Sequence, residues 1–119
     1  MHVLFALGPG EAAFEAFETA FERAAVADDS LTVAVYGDAA ERERVSASAS
    51  ECLASADVEW ELREVDAEPA PALVELAERE GIDRIVLPGG ERSPMGKIQL
   101  DSVAEFVLLN ATMTVTLIR

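Results

Sequence analysis

Five short apolar runs, each separated from the next by a stretch with helical spacing, constrain this chain more than any other feature. The runs are His2–Leu7, Leu31–Tyr36, Val58–Arg63, Ile82–Leu87 and Met113–Leu117. Runs of five or six residues rich in Val, Ile, Leu and Thr suit strands. Between them lie patterns with apolar residues three or four apart: Glu11–Val26, Ala39–Ser55, Ala72–Glu80 and Ile98–Asn110. Strict strand–helix alternation requires crossover connections, hence a parallel sheet with helices on both faces. Half of the 119 residues are apolar, enough for one ordinary core, so 1–119 is expected to be a single domain.

The strand order follows from the patterning. Val58–Arg63 and Met113–Leu117 alternate apolar with polar residues, as half-buried edge strands do, and acidic side chains guard the first of them. The first and fourth runs are near-continuously apolar and belong inside. With right-handed crossovers, order 3-2-1-4-5 satisfies all of this. The winding then reverses between strands one and four, and the loops after them open a crevice at their carboxyl ends, where such folds take ligands.

Those two loops carry the candidate chemistry. Gly8-Pro9-Gly10 ends strand one. Leu87-Pro88-Gly89-Gly90-Glu91-Arg92-Ser93-Pro94-Met95-Gly96-Lys97 follows strand four and holds three of the seven glycines and the only lysine. Gly89, Gly90 and Gly96 permit close backbone approach, Ser93 offers a hydroxyl, and Arg92 and Lys97 offer positive charge to an anion. Ser102 is placed to cap the next helix, with Glu105 completing a capping box. A P-loop is excluded: five residues separate Gly90 from Gly96, and Ile98, with no hydroxyl for magnesium, follows Lys97.

Other chemistry is sparse. The only histidine, His2, lies at the chain start. Asp38, Asp66, Asp83 and Asp101 are scattered, Asp83 falling at a strand start away from the crevice. No metal site of several histidines and no histidine-assisted nucleophile can be assembled. Cys52, the single cysteine, sits in a helical pattern and reads as core filler. Phe14, Phe17 and Phe21 form a core stripe opposite a solvated row, Glu11, Glu15, Glu18 and Glu22.

The net charge is −14, with eight arginines and one lysine. Such a surface repels nucleic acid and anionic membranes. It suits a high-salt cytoplasm, where screening shortens repulsion to about 3 Å at 1 M. No apolar run approaches the roughly 20 residues of a membrane helix, and no signal peptide precedes the fold, so a cytoplasmic location is expected.

From Pro69 onward the chain resembles the universal stress protein family. The residues that carry the likeness are Pro69–Val86, then Asp101-Ser102-Val103-Ala104-Glu105-Phe106-Val107-Leu108-Leu109-Asn110-Ala111 and Val115–Ile118. The variant Ser93-Pro94-Met95-Gly96-Lys97 looks most like haloarchaeal members. The resemblance implies a flavodoxin-like sandwich of the adenine nucleotide alpha hydrolase type and a stress-response role without enzymatic activity, a slow ATPase being the exception left open. It also implies a homodimer through the last strand (Met113, Val115 and Leu117) and ATP or AMP in the crevice. The residues expected to contact such a nucleotide are Gly8, Gly89, Gly90, Ser93, Gly96, Lys97 and Ser102. The family's loop pattern is Gly, two residues, Gly, nine residues, then Gly-Ser or Gly-Thr. Here its last glycine falls on Asp101, its first two fall on Pro88 and Glu91, and the aspartate after strand one is Gly8. The alternative expectation is a ligand-free interaction module of the same fold.

Overall fold

The computed structural model describes residues 1–89, 91–92 and 98–118, with side chains for 1–89 and 100–118. Five parallel strands form the main sheet: β1 (His2–Leu7), β2 (Ser30–Val35), β3 (Trp60–Glu64), β4 (Arg84–Pro88) and, after a two-stranded hairpin of β5 (Glu91–Arg92) and β6 (Ile98–Gln99), β7 (Thr114–Ile118). Their order is β3-β2-β1-β4-β7, the 3-2-1-4-5 arrangement read from the patterning, with β7 as its fifth strand. The helices are α1 (Glu11–Ala27), α2 (Ala39–Ala54), α3 (Pro69–Arg79) and α4 (Ser102–Asn110).

Although β1 is buried on both sides, its residues still alternate between two cores. Val3, Phe5 and Leu7 join Val33, Val35, Phe17 and Leu53 beneath α1 and α2. Leu4 and Ala6 join Ala34, Leu73, Ile85 and Val107 beneath α3 and α4. Phe17 packs between Phe5, Phe14 and Phe21, with ring centroids 5.8, 5.3 and 6.4 Å away. All four glutamates opposite this stripe are exposed. The edge strand β3 is at most half-buried throughout.

Local chemistry sets the boundaries. Helix α3 starts at Pro69, three residues before the helical spacing does: a proline in the first turn forfeits only an N–H that has no intrahelical acceptor. Its end is fixed by Gly81 at φ 66°, a left-handed conformation that a side chain disfavours. Asp83 sits before β4 and its Oδ2 accepts the His2 N–H at 2.7 Å, at the sheet end away from the crevice.

Two expectations near the loop require correction. Ile98 and Gln99 are not helical; they pair antiparallel with Arg92 and Glu91. Nor does Ser102 cap α4. Asp101 is the cap, its Oδ1 accepting the Ala104 N–H at 2.8 Å, and Ser102 is the first helical residue. Aspartate is at least as good a cap as serine, so the helix cannot extend upstream and the β-branched Ile98 is left to the hairpin.

Candidate functional site: the crevice where the winding reverses

The crevice lies at the carboxyl ends of β1 and β4. Their parallel register runs from Val3 and Arg84 to Phe5 and Val86 and ends there, and the two chains continue to Gly8 and Gly89 beyond the paired stretch. Both glycines are buried. Gly90, Ser93, Gly96 and Lys97 lie outside the described residues, so among the expected ligand contacts the structure locates Gly8, Gly89 and Ser102.

Each of these three differs from a plain phosphate cradle. The Gly89 N–H is already used: it donates to the Ile118 carbonyl at 2.6 Å and extends the β4–β7 ladder by one rung. Gly89 therefore offers an approaching ligand no free N–H donor. Ser102 is exposed in the first turn of α4. An anion there meets the Asp101 carboxylate, while the Asp101 carbonyl accepts the Glu105 N–H at 3.0 Å. The positive end of the helix dipole is thus partly satisfied by the chain's own side chain.

Gly8 lies under a closely packed ring. A Cβ at this position would lie 2.7 Å from the Cζ and hydroxyl oxygen of Tyr36, so the tyrosine ring covers the backbone where a side chain would otherwise project. Tyr36 directly follows β2, and its N–H donates to the Leu7 carbonyl at 3.1 Å. Its ring packs, partly buried, against the core beneath α3 and α4. Burial, with a smaller contribution from the Asp101 charge, pushes the Tyr36 hydroxyl up to about 12. Tyr36 thus lies over the β1 loop and within electrostatic reach of Asp101 at the N-terminus of α4, a position the sequence reading missed. The available signal was its position: the only tyrosine, at the carboxyl end of a strand next to the reversal point.

The β2–β3 side of the same rim is built on Arg42, also missed. Its Nη1 donates to the Gly37 carbonyl at 2.8 Å, and the guanidinium lies 3.6 Å from Glu64 and 3.4 Å from Asp66. Asp38 caps α2 through a reciprocal box with Glu41, whose backbone N–H holds the Asp38 carboxyl below its usual range. Cys52 is half-buried, and burial together with Glu18 and Glu22 raises its thiol, so it is poorly suited to act as a thiolate. Met113, Val115 and Leu117 pack, half-buried, against the core beneath α3 and α4; what β7 leaves open on its outer side is its backbone edge. Among the described residues no helix is long and apolar enough to cross a membrane.

The fold recurs in solved structures. A universal stress protein from Archaeoglobus fulgidus superposes with a TM-score of 0.79 at 24% identity, over 100% of this chain and 98% of its own. A family member from Burkholderia pseudomallei gives 0.74 at 27% identity, covering 98% and 94%. An Arabidopsis thaliana member solved with AMP bound gives 0.71 at 16% identity, covering 99% and 90%. No curated protein is significantly similar in sequence. The family model for universal stress proteins matches residues 1–119, the whole length described by the element order above. The chain belongs to the universal stress protein family.

Proposed function

We propose that this chain is a non-enzymatic stress-response protein that takes an adenine nucleotide in the crevice between the loops after β1 and β4, and prefers AMP to ATP. The observation that carries the reading is the reversal of winding between the adjacent strands β1 and β4, after which the chain continues into Gly8 and Gly89. Solved relatives with AMP, dAMP and cAMP support it. The preference for AMP comes from this chain's own charge. A monophosphate brings about −2 at neutral pH, and each further phosphate adds to the repulsion from Asp101 and from a chain of net −14. The non-enzymatic reading rests on the same residue: Asp101, the carboxylate placed at the crevice, is occupied as a helix cap.

Calorimetry at low ionic strength, where the repulsion is not screened, tests this. AMP should bind at least about tenfold more tightly than ATP, with no accompanying ATP hydrolysis. The absence of heat from AMP at millimolar concentration, or tighter binding of ATP, would overturn it.

A second reading is favoured by the Tyr36 ring lying over Gly8. In it the crevice is closed by the protein itself, and the chain works as an interaction module through its β7 edge. Under that reading neither nucleotide gives heat, while self-association persists.

A further inference from the structure

On the opposite face of the sheet, beside α1, a cavity of about 140 Å³ runs from the amino ends of β1 and β4 along β7. Val3, Ala24, Val86 and Ile118 give it apolar walls. Two arginines, Arg23 and Arg84, line it as well, together with Thr116. Arg23 is exposed at the cavity's outer edge, whereas Arg84 is half-buried there. Among the described residues no carboxylate pairs with either one; the side-chain ion pairs there belong to Arg42, Arg63 and Arg79. The Arg84 Nε is buried without a hydrogen-bond partner. Buried donors are nearly always satisfied, and one left open in the wall of a cavity is explained by an anion or water that the cavity admits. The acidic wall residue, Asp29, is compensated by the N-terminal ammonium 2.9 Å away.

We infer that this cavity is a binding site for a small organic carboxylate with an apolar body. The guanidinium groups take the carboxylate by charge-assisted hydrogen bonds, with the Thr116 hydroxyl as an added donor. The aliphatic walls take the hydrocarbon. The volume fits a single ring: a cavity of about 150 Å³ accommodates benzene. The site is separate from the crevice, so it stands or falls independently of nucleotide binding.

Benzoate is the probe, and chemical-shift titration of the whole chain is the measurement. Benzoate should move the signals of Val3, Thr116 and Ile118. Acetate, which lacks the ring, and benzyl alcohol, which lacks the charge, should each bind about tenfold more weakly. Arg84→Gln should weaken benzoate about tenfold and leave benzyl alcohol unchanged. Arg23 is exposed on α1, so Arg23→Gln keeps the fold and should also weaken benzoate. The inference is overturned if benzoate leaves those three signals in place, if acetate or benzyl alcohol matches it, or if folded Arg23→Gln binds it as well as the parent chain.

Discussion

At the scale of single residues, Gly8, Tyr36 and Asp101 act as one unit. The missing Cβ at Gly8 makes room for the Tyr36 ring, and the ring brings a phenol into the field of the Asp101 carboxylate. Burial disfavours the phenolate first, and the neighbouring negative charge adds to that effect. The folded state therefore holds the Tyr36 proton up to about pH 12, against 10 for an ordinary tyrosine. The unfolded chain loses that proton first. The resulting contribution to stability is complete below pH 10 and disappears as the pH rises from 10 toward 12. The chain has only one tyrosine, so tyrosinate absorbance reports this group alone. Its titration midpoint should lie well above 10 in the folded protein, and Tyr36→Phe should flatten the alkaline fall in stability. A midpoint near 10 would mean that the ring is not held over Gly8.

At the scale of elements, α4 depends most on its first residues. Replacing the Asp101 cap by alanine should cost about 0.5–2 kcal/mol, whereas glycine, a tolerated cap, should cost only a few tenths. Asp101→Gly also removes the carboxylate at the helix N-terminus. We expect it to tighten AMP about tenfold, since one repulsive charge leaves and the dipole end is exposed, and to lower the Tyr36 midpoint without bringing it to 10. Calorimetry and the tyrosinate titration check the two outcomes on one variant. How α4 begins also marks what the sequence disclosed. Strand order was legible because edge strands must alternate and central ones need not, as β3 and β1 do. The start of α4 was not legible: Ile98–Asn110 has helical spacing throughout, and only the competition between Asp101 and Ser102 for the cap decides that 98–99 turn back as a strand. Gly8 was visible as a departure from the family's aspartate. That a tyrosine from the neighbouring strand fills the space is a tertiary fact without a local signature.

At the scale of the whole molecule, charge and apolar surface are segregated. Residues 102–118 hold a single charged residue, Glu105, in a chain that is 27% charged. On that stretch Phe106, Leu108 and Leu109 are exposed, Leu109 by 76%. A surface helix that is apolar on nearly every side ordinarily has a covering partner. A second copy of so acidic a chain is repelled everywhere except at an uncharged surface, and α4 with the adjoining β7 edge is that surface. This is the physical basis for the proposed homodimer through the last strand, which would use the β7 backbone with the half-buried Met113, Val115 and Leu117 and add the exposed face of α4. Such a dimer should be salt-dependent in an unusual direction. Screening removes long-range repulsion between two anionic bodies, and concentrated salt also strengthens apolar burial when its anion is excluded from the surface. Sedimentation equilibrium should therefore show association strengthening by at least about tenfold as sodium chloride is raised from roughly 0.1 to 2 M. Leu109→Glu, at an exposed helical position, should leave the monomer folded and abolish association at both salts. If the variant associates as the parent chain does, α4 is not part of the contact; if association weakens with salt, attraction between charges rather than an uncharged face holds the copies together.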